Sequence, residues 1–224
     1  MRVINLSEQN SVLNQFLREI RDVDIQKDPL RFRRNIERIG EVMAIEVSKA
    51  LAYEPVEVQT PLDTATVNTI ADQLVLATVL RAGLPLHQGF LNIFDRAENA
   101  FLSAYRRVND KGELEIVAEY MAAPAIDGKT LILVDPMLAT GMSMEVAYLA
   151  LLRHGKPKHA HLCCTIGTPQ AIDCLRKSLN DSSDVTVWCA AIDPVLNEKK
   201  YIVPGLGDAG DLCYGTKIHL SDRK

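Results

Sequence analysis

With 224 residues, 47% of them hydrophobic and 24% charged, the chain has apolar material for one large globular domain. Its net charge of -4 argues against a protein that wraps nucleic acid through overall charge. The longest apolar run, LVLATVL at 74 to 80, is too short to span a bilayer, and MRVINLSEQN carries no apolar leader core.

Five cysteines without CxxC spacing (Cys163, Cys164, Cys174, Cys189 and Cys213) point to reduced thiols, so a cytoplasmic protein without membrane attachment is expected. Phe32, Ile36, Ile39, Met43, Val47 and Leu51 recur at spacings of three and four, which predicts an amphipathic helix over residues 32 to 51. VEVQ at 56 to 59 alternates like a strand, and LVLATVL reads as a strand buried on both faces. LPLHQGFLNIF at 84 to 94 predicts a helix with Pro85 in its first turn. ENAFLSAYR and LEIVAEY predict two strands around the turn-rich VNDKG.

TLILV predicts another buried strand, and MSMEVAYLALLRHG a helix ending at Gly155. AHLCCTI, TPQAIDCLRKSL and DVTVWCAA continue as strand, helix and strand. Alternating strands and helices predict an α/β fold with a mainly parallel central sheet flanked by helices. Ligands of such sheets bind outside the carboxyl ends of the strands, where three stretches stand out: LRAG at 80 to 83, VDPMLATG at 134 to 141, and the tail after CAAID.

In VDPMLATGMS, a carboxylate on Asp135 at a strand end can accept two hydrogen bonds from a vicinal diol. Ala139, Thr140 and Gly141 can offer successive backbone N–H groups at the start of a helix, where the dipole favours an anion, and Thr140 and Ser143 add hydroxyl donors. A plain strand-to-helix turn with an N-cap would use the same letters. The stretch is neither a Walker A loop nor GxGxxG. The tail IDPVLNEKKYIVPGLGDAGDLCYGTK reads as a long loop, which in a compact domain is either functional or packed by its own apolar residues.

VDPMLATG resembles the phosphoribosyl-diphosphate (PRPP) motif of phosphoribosyltransferases, and Asp135-Pro136 matches the variant found in uracil phosphoribosyltransferases. YIVPGLGDAGD resembles the uracil-recognition segment of that family nearly letter for letter, with LNE before it and YGTK after. TPL at 60 to 62, LRAGL at 80 to 84 and YR at 105 to 106 follow the family order, so the resemblance extends loosely over nearly the whole chain. Met142, Leu212 and Pro85 stand where the family usually has Gly, Arg and Gly.

The resemblance implies a type I phosphoribosyltransferase fold, a single domain over 1 to 224 with an N-terminal helical segment (1 to 55), a mobile hood hairpin (105 to 120) and a base-recognition loop (192 to 217). It implies transfer of a phosphoribosyl group from PRPP to uracil, giving UMP and diphosphate with Mg²⁺, in pyrimidine salvage. It implies Arg81, Ala82 and Gly83 at the diphosphate and Arg106 at the PRPP phosphates. Asp135 would hold the ribose diol, with Pro136, Met137, Leu138, Ala139, Thr140, Gly141, Met142 and Ser143 around the 5′-phosphate. Tyr201, Ile202, Gly207, Asp208 and Ala209 would hold uracil, and Asp208 would also face the PRPP ribose or its metal. Arg81, Arg106, Asp135 and Asp208 are the catalytic candidates. A homodimer or higher oligomer and GTP as an activator are further implications.

The chemistry needs stabilisation of charge on the leaving diphosphate, which guanidinium groups suit, and exclusion of water, which a closing segment at 107 to 119 would provide. No side chain stands out as a general base. His159 and His161 lack a partner at metal-ligand spacing, and Cys163 and Cys164 read as apolar fillers. A second reading is a regulatory protein on the same fold that senses UMP or PRPP and turns over poorly. No basic run longer than a pair supports nucleic-acid binding.

Overall fold

The computed structural model describes residues 1–108 and 114–216, the side chains of 104–119 excepted. In chain order the elements are β1 (Arg2–Asn5), α1 (Leu13–Arg21), α2 (Pro29–Ser48), β2 (Tyr53–Gln59), β3 (Thr64–Ile70), β4 (Leu74–Val79), α3 (Leu84–Ile93), β5 (Glu98–Val108) and β6 (Leu114–Ala122). There follow β7 (Thr130–Val134), β8 (Met137–Leu138), α4 (Met142–Leu151), β9 (His159–Gly167), α5 (Pro169–Ser178), β10 (Val185–Ile192), β11 (Val195–Leu196), β12 (Ile202–Val203) and α6 (Ala209–Tyr214).

The central sheet runs β1-β10-β9-β7-β4-β5-β6, with β8 also on β9. Every pairing is parallel except β5 with β6. The central strands read as unbroken apolar runs because both faces are covered. Leu76, Ile132 and Cys163 face a core built with α1, α2 and α3. Their strand neighbours Val75, Ala77, Leu131, Leu133 and Cys164 face a second core built with α4 and α5.

Helix α2 starts where the sequence gives it a cap: the Asp28 carboxylate accepts from the N–H of Leu30 at 2.9 Å and Arg31 at 3.2 Å, with Pro29 in the first turn. Its predicted stripe of Phe32, Ile36, Ile39, Met43 and Val47 is buried. Pro85 sits in the first turn of α3, where a missing N–H costs nothing.

Strand β4 leads through α3 to β5 on one side, whereas β7 leads through α4 to β9 on the other. The chain therefore reverses its winding between β4 and β7. The crevice outside the carboxyl ends of these two strands is where such a sheet receives ligands.

Two expectations change. The N-terminal segment is not wholly helical, since β1 forms one edge of the sheet and pairs with β10. The tail is not one long loop either: β11 and β12 pair as an antiparallel ribbon, and α6 follows. Strand β3 had no counterpart in the sequence reading. VNDKG falls largely outside the described residues.

Candidate active site at the carboxyl edge of the sheet

Each of the three singled-out stretches lies at a carboxyl strand end. Residues 80 to 83 follow β4, Asp135 follows β7, and Asp193 follows β10. The hydroxyl of Thr78, on β4, donates to the carbonyl of Val134 at 3.4 Å, which ties the first two ends together. The Leu80–Arg81 peptide is cis. Ala82 packs against the same core as Ile202, Leu206 and Ala209, so the LRAG turn and the tail meet.

Asp135 is held by its own N–H donating to Cys163 at 3.1 Å. Its side chain is buried and receives a long contact from the N–H of Met137 at 3.5 Å. Burial disfavours the charged form, and this one donor offsets it only weakly, so the carboxyl is pushed up to about 7. A buried acid short of donors is suited to accept hydrogen bonds from a polar ligand.

The turn after β8 closes through Gly141, at φ +83. A Cβ there would stand 2.8 Å from the carbonyl oxygen of Ala171, so both conformation and space call for glycine. Met142 begins α4 with ordinary helical backbone and an exposed side chain. The left-handed position belongs to Gly141 alone, so the loop has no need of a second glycine at 142. Ala139 is fixed by the Thr168 hydroxyl, which donates to its carbonyl at 2.8 Å.

The tail is ordered by its own polar groups. Asn197 Oδ1 accepts from the N–H of Lys199 and of Tyr201, both at 3.0 Å, and sets the β11–β12 turn. Asp208 Oδ1 caps α6 by accepting from the N–H of Asp211 at 2.9 Å. Ile202 and Ala209 are buried, whereas Tyr201 and Gly207 are exposed. Leu212 packs against the core that surrounds α2.

Arg81 reaches across to this tail. Its Nη2 donates to the Gly215 carbonyl at 2.7 Å and lies 3.4 Å from Asp211 Oδ1. The side chain of Arg106, on β5, is not among those described, nor is any side chain of the expected closing segment, 107 to 119. The fold thus brings together LRAG, VDPMLATGM and the tail, and Arg106 is placed by its backbone only.

Two cavities, of about 600 and 470 Å³, lie elsewhere, beside β1 and at the amino ends of β7 and β9. Neither involves the residues above. His161 Nδ1 accepts from Trp188 Nε1 at 3.0 Å, and His159 pairs with the Thr186 hydroxyl at 3.0 Å. Cys163 and Cys164 are fully buried, which pushes both thiols well up. Sequence reasoning missed Arg21, whose guanidinium meets Asp193 at 2.7 Å. The available signal was an acid directly after a buried strand, the same arrangement that marked Asp135.

A mainly parallel sheet covered on both faces, with an acid and a glycine turn at its point of reversal, is a ligand-binding doubly wound α/β architecture, and the family match makes it that of a phosphoribosyltransferase. The chain belongs to the uracil phosphoribosyltransferase family, whose model matches residues 7–216. It is 56% identical over 218 residues to a uracil phosphoribosyltransferase of Porphyromonas gingivalis, covering 97% of this chain and 100% of the relative. It is 36% identical over 217 residues to one of Methanothermobacter thermautotrophicus, covering 96% and 95%. A solved structure of an Aquifex aeolicus protein superposes with a TM-score of 0.82 at 27% identity, covering 97% of this chain and all of that one.

Proposed function

We propose that the protein transfers the phosphoribosyl group of PRPP to uracil, releasing UMP and diphosphate, in pyrimidine salvage in the cytoplasm. The observation that carries this is the meeting of three strand-end elements, the LRAG turn, the Asp135 loop and the YIVPGLGDAGD tail, in a chain of this family. In this reading Asp135 accepts the ribose hydroxyls, and backbone groups from Ala139 to Ser143 hold the 5′-phosphate. Arg81 and Arg106 stabilise charge on the leaving diphosphate. Main-chain atoms of Ile202 and Gly207 to Ala209, beside Tyr201, read the base edge. A site built to pair uracil O4, N3–H and O2 leaves groups unpaired with cytosine.

Asp208 is half-buried and caps α6 through Oδ1, so its second carboxylate oxygen would serve a Mg²⁺ held mainly by substrate phosphates and water. When bound, the ion neutralises charge on the diphosphate.

A homodimer belongs to the same proposal. The β2–β3 ribbon carries Val56 opposite Val67 and Val58 opposite Ala65, and the three valines are exposed. A lone two-stranded ribbon is marginal in water, so a second copy of the chain covering this face would complete it.

The test is UMP formation from uracil and PRPP with Mg²⁺. Turnover is expected. Tight UMP binding without turnover would overturn this reading in favour of the sensing protein. The same assay with added GTP tests the activator that the resemblance implies.

A further inference from the structure

Far from the strand ends in sequence, Arg21 closes α1. Its guanidinium grips Asp193 with two bonds, Nη1 to Oδ2 at 2.7 Å and Nη2 to Oδ1 at 2.8 Å. Nη1 also donates to the carbonyl of Gly205 at 3.0 Å. Asp193 Oδ2 in turn accepts from the N–H of Gly205 at 2.8 Å. Both polar backbone groups of one residue are therefore held by a single ion pair.

That pair is anchored and shielded. The N–H of Asp193 donates to Gly167 at 2.9 Å, which fixes it to the sheet where β9 ends. Asp193 is buried, and Arg21 is about three-quarters so. The turn it holds has no slack. Gly205 lies at φ +57, and a Cβ there would stand 2.1 Å from the carbonyl oxygen of Ile202. Ile202 precedes the turn, and residues 207 to 209 follow it.

We infer that Arg21 and Asp193 are a positioning pair for uracil. Neither touches the base. They set the main chain on both sides of Gly205 so that the groups reading the base edge stand at hydrogen-bond distance. Recognition by backbone atoms has no side-chain rotamer to absorb an error, so such groups must be held to within about half an ångström. The inference rests on the reading of the tail as the uracil loop.

The experiment is steady-state kinetics on Arg21→Lys and Asp193→Asn, with Gly207→Ala as a probe of the loop itself. Lysine keeps the charge and loses the planar fork. Expected for both clamp variants is a KM for uracil raised about tenfold, a KM for PRPP within about twofold of wild type, and a melting temperature lowered by only a few degrees. An unchanged uracil KM in the clamp variants, with Gly207→Ala raising it, would overturn the clamp and leave the loop assignment standing. If Gly207→Ala and Arg21→Lys both move the PRPP KM alone, the loop assignment itself falls, and the clamp with it. Equal loss of affinity for both substrates in step with melting temperature would reduce the pair to a structural role.

Discussion

The Nη2 of Arg81 donates to the carbonyl oxygen of Gly215 at 2.7 Å. The guanidinium proposed to meet the diphosphate thus sits against the carbonyl end of α6, the element that follows the proposed base loop. Free carbonyls at a helix end attract cations, as the more negative phosphate oxygens do. Diphosphate binding then competes with this contact, and the tail and the LRAG turn are linked through one side chain. Arg81→Lys should lower kcat/KM for PRPP about a hundredfold, because lysine cannot give a bidentate pair to phosphate. Retained PRPP kinetics in that variant would remove Arg81 from the diphosphate.

Asp135 supplies a prediction in pH. Burial raises its carboxyl from 3.8 to about 7. The ionised form is the one that accepts two hydroxyl donors, so kcat/KM for PRPP should rise with pH along a limb near pH 7. Asp135→Asn should lower that parameter and flatten the limb, while equilibrium binding of uracil stays near wild type.

The sign for stability is opposite. The folded chain keeps a proton that the unfolded chain releases above about pH 4, so this group's contribution to stability is full below the unfolded value and is lost as pH rises through about 7. Asp135→Asn should therefore melt higher than wild type at pH 8, as read by circular dichroism. A wild type that melts higher there would show the carboxylate to be well solvated.

How far letters alone reached depended on where each signal was stored. The central strands β4, β7, β9 and β10 announced themselves because helices on both faces allow an unbroken apolar run. Asp135 and the glycine turn were legible for a related reason: an acid and small residues against such a run conflict with burial, so they stand out. Strand β3, TATVNTI, was legible in principle from its β-branched residues, but its alternation runs only through Ala65 and Val67 and almost all of it is exposed, so no buried face marks it. Helix α6 is only six residues long, and its cap, Asp208, had been read for chemistry instead. The Arg21–Asp193 pair spans 172 positions, and no local pattern encodes such a contact.

Gly141 and Met142 separate cleanly by experiment. Gly141→Ala forces a Cβ into a left-handed position 2.8 Å from a carbonyl oxygen. It should cost about 1–3 kcal/mol of stability and raise the KM for PRPP. Met142 lies at the first position of α4 with its side chain in solvent. Met142→Gly should cost at most about 1 kcal/mol and change the PRPP KM by less than about threefold. Thermal melts and kinetics on the two variants check the pair of statements. A large gain in PRPP affinity on Met142→Gly would mean that the methionine crowds the phosphate.

The β2–β3 ribbon carries the last prediction. Val56, Val58 and Val67 share one exposed face, since residues paired directly across an antiparallel ribbon point the same way. Val56→Glu with Val58→Glu puts two charges on that face and removes nothing from either core. Sedimentation velocity should show wild type as a dimer or larger and the double variant shifted toward monomer, with the melting temperature lowered as the ribbon loses its cover. The variant leaves the carboxyl edge of the sheet untouched, so UMP formation should persist in whatever fraction stays folded. A wild-type monomer, or a double variant with unchanged sedimentation, would leave the ribbon without the role proposed for it.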